Sequence, residues 1–181
     1  FNWIRLMKKF FVFTITGLLV SFAAIGQEFN QGAQLLNVGF GFGGHYNTLG
    51  SPNQKASINA SYEYGMWELL GPGVVSVGGY LGHKSYKYDN GDKWNYTLLG
   101  ARGAYHYGGL EIDNLDLYGG AMLSYNILSY DNTFVAAGTH GNEWALSAFV
   151  GGRWYLTDNF GAYAELGLGV ANFSLGATLR L

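Results

Sequence analysis

The sequence has no cysteine, little charge and only two prolines in 181 residues. Without cysteine, the chain can form no disulfide scaffold, no cysteine-ligated metal site and no thiol nucleophile. Charged residues make up 12% of the chain, about half of the roughly 25% found in ordinary soluble domains. The net charge of −2 also gives no basic surface for nucleic acid. Disulfide-rich, thiol-dependent and nucleic-acid-binding proteins are therefore excluded.

Glycine and apolar residues are abundant instead. The chain contains 29 glycines, more than double the usual share of roughly 7%. A collagen-like repeat does not explain them, because the sequence has no G-X-Y period and few prolines. Disorder does not explain them either, since 49% of the residues are hydrophobic. The interpretation that remains is a single domain whose surface faces lipid.

The N-terminus has the three parts of a secretory signal peptide. Met7 and two lysines precede an apolar run over 10–20, which small residues follow over 21–26. We expect cleavage after Gly26, which leaves Gln27 as the first mature residue. A transmembrane anchor is the alternative, because 10–26 could barely span a bilayer.

These boundaries divide the chain into three parts. Residues 1–26 are the predicted signal peptide for export by the Sec route, with 1–6 upstream of the natural start, Met7. Residues 27–33 form a short periplasmic N-terminal segment, and 34–181 form the folded domain.

Apolar residues recur at every second position through the folded domain, which is the period of a β-strand. In the first run Leu36, Val38 and Phe40 alternate with Asn37 and glycines. Each run is close to the 9–11 residues that cross a bilayer at a tilt. The pattern predicts an all-β fold, an eight-stranded antiparallel up-and-down transmembrane β-barrel. The runs cover about 34–43, 57–66, 75–82, 95–107, 115–126, 143–154, 160–168 and 172–181.

The connections alternate in length. Those over 44–56, 83–94 and 127–142 are long, whereas those before the third, fifth and seventh strands are shorter. Long outer loops and short periplasmic turns are typical of bacterial outer-membrane barrels. The connection between the seventh and eighth strands, at 169–171, departs from this habit. Its place in the order predicts a long outer loop, but it is tight.

The polar face of the strands decides which side meets lipid. A soluble, lipocalin-like barrel would place that face in water and fill it with charged residues. It consists mostly of Gly, Ser, Asn and Ala, which suit the inside of a narrow barrel. The apolar face is then outward, and we expect its aromatic residues to form two girdles at the membrane interfaces. The lower girdle is Tyr64, Tyr105, Tyr107, Trp154 and Phe160, and the upper girdle is Phe42, Tyr125, Trp144 and Phe173.

With these features the chain resembles the small bacterial outer-membrane β-barrels of the OmpA/OmpX type, over about 34–181. Its last residues resemble the C-terminal signal that the barrel-assembly machinery reads, namely Ser174, Gly176, Leu179 and Leu181. The family usually ends in an aromatic residue, whereas this chain ends in Leu181. The resemblance implies a Gram-negative outer membrane, contact with its lipid and lipopolysaccharide, and the barrel-assembly machinery as a partner.

Charged residues on the inward face need partners, because an unpaired charge in a narrow lumen is costly. We expect an interior ion-pair network that fills the lumen, and an ion path or gate is the alternative. The residues assigned to the network are Glu63, Arg102, Arg153, Glu165 and Arg180.

Candidate catalytic residues are few. His83 and Ser85 match two parts of the pattern of a lipid A deacylase family, whose Glu has no counterpart at a suitable distance. A serine nucleophile needs both a base and a group that orients the base. The other histidines, His45, His106 and His140, are too scattered to predict a metal site. We expect no catalytic residue, cofactor or metal.

The expected function is a structural or surface-interaction scaffold that presents extracellular loops rich in Tyr and Asn, whose ligand the sequence does not identify. A narrow channel or transporter for small solutes is the main alternative, and a lipid A-modifying enzyme is a minor one.

Overall fold

The computed structural model describes residues 29–43, 53–54, 56–69, 71–87, 93–110, 112–130, 142–167 and 171–181. The expected signal peptide lies outside the described residues. The strands are β1 (Gln34–Phe42), β2 (Asn53–Gln54), β3 (Ser57–Glu68), β4 (Gly73–Lys87), β5 (Lys93–Tyr107), β6 (Leu115–Tyr130), β7 (Glu143–Tyr155), β8 (Phe160–Gly167) and β9 (Phe173–Arg180). In these ranges no helix is long and apolar enough to cross a membrane.

The long strands form one closed sheet. Each long strand pairs antiparallel with the next long strand along the chain, from β1 through β3 to β9. The final strand, β9, then pairs antiparallel with β1 and closes the barrel. The two-residue β2 pairs with the far end of β4. The predicted all-β, eight-stranded, up-and-down barrel is confirmed.

Side chains alternate between the lumen and the outer surface. In β1, Leu35 and Asn37 are buried in the lumen at 0% and 1% exposure. Their neighbours Val38 and Phe40 are 50% and 53% exposed. Alternation of this kind follows from the two-residue period of a strand. Because the exposed stripe is the apolar one, the outer surface is suited to lipid rather than to water.

Several strands extend further than the sequence pattern predicted, most of all β4 and β6. The segment 83–94 was expected to be a long loop, but β4 continues to Lys87 and β5 begins at Lys93. Likewise, β6 continues to Tyr130, beyond the predicted end near 126. The prediction was wrong because it followed apolar alternation, which ends where the band facing lipid ends. Backbone pairing continues past that band, as in His83 with Thr97.

A bulge interrupts the lower half of β3. The register against β4 shifts between Gly65 and Trp67, and Met66 and Trp67 are both exposed, at 38% and 52%. An extra residue in one strand turns successive side chains to the same side. Trp67 therefore joins the outer surface at the turn end of the barrel, although the alternation had ended the strand at Met66.

Hydrogen bonds tie the short turns at this lower end together. The N–H of Gly108, after β5, donates to the carbonyl of Pro72, between β3 and β4, at 2.6 Å. The N–H of Arg180 donates to the carbonyl of Asn159 at 2.7 Å, and the Asn159 amide donates back to Arg180 O at 3.2 Å. The last turn thus holds the end of β9 against β8.

The inward glycines let neighbouring strands and lumen side chains approach closely. A Cβ added at Gly78 would lie 1.9 Å from the carbonyl oxygen of Tyr62, which is backbone and cannot move aside. A Cβ at the adjacent, outward Gly79 would meet nothing nearer than 3.9 Å. The requirement for glycine therefore differs between the two faces of one strand.

We expect Gly78→Ala to lower the free energy of unfolding by about 1–3 kcal/mol or more, because overpacking displaces backbone. Urea unfolding in detergent, followed by tryptophan fluorescence, measures this change. Gly79→Ala is the matched control and should stay within about 0.5 kcal/mol of wild type. Equal destabilisation of the two variants would contradict the assignment of faces.

Candidate functional site

The lumen is organised around Arg153 of β7, which is completely buried. Its Nη1 donates to Asp116 Oδ2 of β6 at 2.7 Å, and its Nη2 donates to Glu63 Oε1 of β3 at 2.7 Å. Its Nε donates to Asn37 Oδ1 of β1 at 3.2 Å. The planar guanidinium presents donors in several directions at once. Arg153 therefore joins four strands across the lumen.

A second arginine extends the network upward. Arg102 Nη2 lies 2.7 Å from Glu165 Oε2 and 3.4 Å from Glu63 Oε1. Its guanidinium carbon lies 3.9 Å from the ring centre of Phe149. The hydroxyl of Tyr118 also donates to Glu165 Oε2, at 3.1 Å. Each carboxylate of the network thus has a cationic or hydroxyl partner, as burial requires.

His106 connects the network to a buried serine. Its Nδ1 lies 2.9 Å from Asp116 Oδ1, and its Nε2 lies 2.9 Å from Ser76 Oγ and 3.2 Å from Glu63 Oε2. A serine, a histidine and an aspartate in this order have the connectivity of a hydrolase triad. Whether a serine in such a triad can act as a nucleophile depends on the charges around it.

The electrostatics around Ser76 oppose acyl transfer. The serine is 0% exposed, and its Oγ lies 3.3 Å from Glu63 Oε2 and 3.4 Å from Ala104 O. Acyl transfer develops a negative oxyanion beside the nucleophile, which hydrolases stabilise with donors. A carboxylate in that position would destabilise it. The arrangement therefore serves to satisfy buried polar groups.

Residues 29–33, expected as part of a periplasmic segment, fold into the lower mouth of the barrel. The ring of Phe29 stacks on His106, with centres 3.7 Å apart and planes at 17°. The backbone N–H of Gly32 donates to Gly65 O at 2.8 Å, and that of Gly65 donates to Ala33 O at 2.9 Å. This segment, the N-terminal plug, covers the network from below.

The N-terminal plug depends on the absence of a side chain at Gly65. A Cβ there would lie 2.4 Å from Asn30 O and 3.1 Å from the Phe29 ring. Phe29 is 5% exposed and packs in one cluster with Leu35, Val74 and Tyr155. The bulge in β3 and the plug therefore form a single unit of packing.

Above the ion pairs the lumen is lined by further buried polar groups, among them Lys84, whose Nζ donates to the carbonyl of Gly43. Tyr163 donates its hydroxyl to Asn59 Oδ1 at 2.7 Å, and Asn59 Nδ2 donates to Ser174 Oγ at 3.3 Å. A cavity of about 20 Å³ remains, lined in part by Tyr80 and Met122. Such a volume holds about one water molecule. Among the described residues, this cavity is therefore too small for a hydrated solute.

The structure brings Glu63, Arg102, Arg153 and Glu165 into one network. Arg180, which was assigned to the same network, lies with its guanidinium carbon 4.5 Å from the ring centre of Tyr155. Two members were missed, His106 and Asp116. His106 lies four residues after Arg102 on the inward face of β5, and Asp116 lies on the inward face of β6, so the alternation could have found both. We see no sequence feature that would have identified Phe29.

The residues assigned to the aromatic girdles lie at the two ends of the outer surface. At the loop end, Phe42 and Phe173 pair across β1 and β9, and Tyr125 and Trp144 pair across β6 and β7. Their ring centres are 6.5 and 5.0 Å apart, respectively. The remaining five lie towards the turn end of their strands: Tyr64, Tyr105, Tyr107, Trp154 and Phe160.

The residues of the C-terminal pattern divide between the two faces of β9. Ser174 is buried in the lumen, whereas Leu179 and Leu181 are 39% and 63% exposed. A Cβ at Gly176 would lie 2.2 Å from Val38 O of β1. The N–H of Leu181 donates to Gln34 O at 3.0 Å. The same residues thus lie along the seam that closes the barrel.

His83 and Ser85 do not form a nucleophile–base pair. Both belong to β4, and each contacts β5: His83 Nδ1 lies 3.1 Å from Thr97 Oγ1, and Ser85 Oγ donates to Asn95 Oδ1 at 2.7 Å. Among the described residues, no group of three or more His, Asp or Glu has an arrangement that could hold a metal ion.

Solved structures with the same architecture are transmembrane barrels. Ail, the attachment invasion locus protein of Yersinia pestis, solved with the heparin analogue sucrose octasulfate, matches with a TM-score of 0.54 at 14% identity. This match covers 83% of the present chain and 99% of Ail. A de novo designed transmembrane β-barrel matches with a TM-score of 0.52 at 18% identity. This match covers 86% of the present chain and 100% of the designed one. No protein-family model and no curated protein matches the chain. The resemblance to small outer-membrane barrels is confirmed at the level of fold.

We expect Arg153→Met to reduce the free energy of unfolding by about 3–5 kcal/mol, because it removes the shortest ion-pair partner of two buried carboxylates, Glu63 and Asp116. Urea unfolding in detergent, with the heat-resistant band on gels as a second readout, measures the loss. Adding Glu63→Gln to Arg153→Met should restore part of it, since the variant removes one of the two buried negative charges that lost this partner. Additive losses in the double variant would show that the two residues are not coupled.

Gly65→Ala should displace the N-terminal plug, because the new Cβ would overlap the backbone of Asn30. Hydrogen exchange at the amide of Gly32 should then become at least about tenfold faster, which corresponds to a loss of about 1.4 kcal/mol of local stability. Gly103→Ala is the control, since its Cβ would meet nothing nearer than 3.6 Å. Unchanged protection in Gly65→Ala would mean that the plug tolerates the side chain.

Proposed function

We propose that this chain is an integral outer-membrane barrel that works as a scaffold, holding extracellular loops for surface interaction while its own lumen stays closed. One observation carries the proposal: Arg153 is 0% exposed and binds Asp116 on the adjacent strand β6 together with Glu63 of β3 on the opposite wall of the lumen. A closed interior leaves the outer wall and the loop end as the surfaces that can meet partners.

The outer wall supports residence in a membrane. Leu146 and Trp144 are 79% and 69% exposed, and Ile58 and Val150 are each 59% exposed. Exposed apolar surface of this extent is unfavourable in water and favourable in lipid. The aromatic residues at both ends lie where the interfacial girdles of such barrels lie. Lipid and lipopolysaccharide of the outer membrane are the surroundings that we infer.

Export and assembly belong to the same proposal. A cleaved Sec signal peptide over 1–26 would deliver the chain to the periplasm. The barrel-assembly machinery would then recognise β9, where Ser174, Gly176, Leu179 and Leu181 lie beside the closing seam. Recognition of the strand that closes the barrel would couple insertion to the last pairing step.

The loop end supports a role in surface interaction. The paired strands β4 and β5 continue together to Lys87 and Lys93, beyond the apolar band. A hairpin of this kind extends the barrel wall beyond the apolar band. Tyr- and Asn-rich connections were expected at 44–56, 83–94 and 127–142, and of these 44–52, 88–92 and 131–141 lie outside the described residues. Tyr and Asn are adaptable contact residues in recognition loops.

A scaffold with a closed lumen should be silent in planar lipid bilayers, because the ion pairs and the N-terminal plug block passage of hydrated ions. Single-channel recording of the purified, heat-modifiable protein measures this directly. Stable open states in the wild type would overturn the scaffold in favour of the narrow channel. In a second arm, replacing 131–141 by a Gly/Ser linker of equal length should remove surface binding by whole cells and leave the bilayer recording silent.

A further inference from the structure

The outer wall carries an apolar groove across β1, β3, β4 and β5. Its floor is formed by the small residues Ala60 and Gly79, and its volume is about 430 Å³. Small-molecule sites typically measure about 300–1,000 Å³. The groove is flanked by larger side chains, Leu36, Tyr62, Leu81 and Leu99.

Two polar pairs follow directly above the groove on the same outward face. In the register of β4 and β5, Leu81 pairs with Leu99, and the next outward pairs are His83 with Thr97 and Ser85 with Asn95. The His83–Thr97 and Ser85–Asn95 contacts are 3.1 and 2.7 Å. One hairpin therefore changes from an aliphatic to a hydrogen-bonding surface within a single step.

The height of this change matches the edge of the membrane. Leu99 pairs on its other side with Tyr125, a residue of the upper aromatic set. Aromatic girdles mark the boundary between hydrocarbon and headgroups. The groove thus lies within the hydrocarbon region, and the two polar pairs lie at the height of the headgroups.

We propose that the groove seats one acyl chain of an outer-leaflet glycolipid, whose sugar and phosphate oxygens contact the polar pairs. The proposal rests on the proposed outer-membrane location with the loop end outward. Along the hairpin an apolar surface is followed directly by a hydrogen-bonding one. A lipid has the same order, because its apolar acyl chain is followed directly by the hydrogen-bonding oxygens of its headgroup. A histidine, a threonine, a serine and an asparagine are partners suited to sugar hydroxyls and phosphate alike.

The size of the groove favours a lipid over a second copy of this chain. Nine residues line it, whereas a standard interface takes about 20–30 residues from each partner. The floor is also narrow, because it is only two small residues wide. A single hydrocarbon chain can follow such a groove, whereas another barrel wall would meet only its rims.

Filling the groove tests the acyl-chain seat. The Cβ of Gly79→Leu would have 3.9 Å of clearance, so the variant should fold and place its side chain where the acyl chain lies. Purified protein in detergent is titrated with lipid A, and bound lipid is counted by native mass spectrometry. We expect lipid A to bind at least about tenfold more weakly, as the loss of about two buried methylene groups predicts.

Gly103→Leu is the matched control. Gly103 faces outward, as Gly79 does, but it lies on β5 and outside the groove. Its Cβ would have 3.6 Å of clearance. It should bind lipid A like the wild type. Equal binding by Gly79→Leu and wild type, or equal loss in both variants, would overturn the site. A complex of two protein chains at the groove would also overturn it.

A second arm tests the headgroup contacts. The double variant Thr97→Val with Ser85→Ala keeps the groove and removes two hydroxyls. Wild type should prefer lipid A to phosphatidylglycerol with matched acyl chains, and the double variant should lose this preference. An unchanged preference would refute the headgroup assignment. Outer-membrane fractionation of Gly79→Leu separates the proposed location from the proposed lipid site. The variant should still be found in the outer membrane, and weaker lipid A binding then concerns the lipid site alone.

Discussion

The structure depends on one constraint: an eight-stranded barrel has a lumen only wide enough for side chains. A charge that enters such a lumen loses most of its hydration and must find its partners among the other strands. Arg153 meets this constraint with Glu63, Asp116 and Asn37, which come from three other strands. Because these contacts cross the lumen, they also fix how the walls face one another. The charges in the interior are therefore paired only when the sheet is closed.

The same narrowness explains the distribution of glycine. Inward glycines such as Gly78 and Gly176 lie where a Cβ would meet the backbone of the next strand at 1.9 and 2.2 Å. Next to other inward glycines the free space is taken by long side chains, namely Tyr163 beside Gly176 and Tyr118 beside Gly151. The outward glycines Gly79 and Gly103 would place a Cβ no nearer than 3.6 Å to a neighbour, and Gly79 instead lines the groove in the wall. One residue type thus has opposite effects on the two faces.

Much of this arrangement could be predicted from the sequence, because a period of two assigns each side chain to a face. That rule gave the eight strands, the lipid-facing stripe and the inward positions of Glu63 and Arg153. It could not give the ends of β4 and β6, since pairing continues where the side chains are no longer apolar. It also could not give the bulge at Gly65 or the entry of Phe29, because both depend on contacts between distant segments. The pairing of His106 with Asp116 required the register of β5 on β6, which alternation alone does not specify.

A filled lumen also determines where this barrel can act. Passage through the centre would require Arg153 to leave two carboxylates at once, which is costly in a medium of low dielectric constant. The N-terminal plug adds a second layer by covering His106 from below. Under the proposed function, recognition falls to the wall and the loop end, where the surface can change without disturbing the ion pairs. The extended β4–β5 hairpin joins these two surfaces, because it carries the groove at one height and a loop at the other. The ion pairs of the lumen involve none of the described outward side chains of this hairpin, so on the proposed function substitutions on the outside would change binding without changing the core.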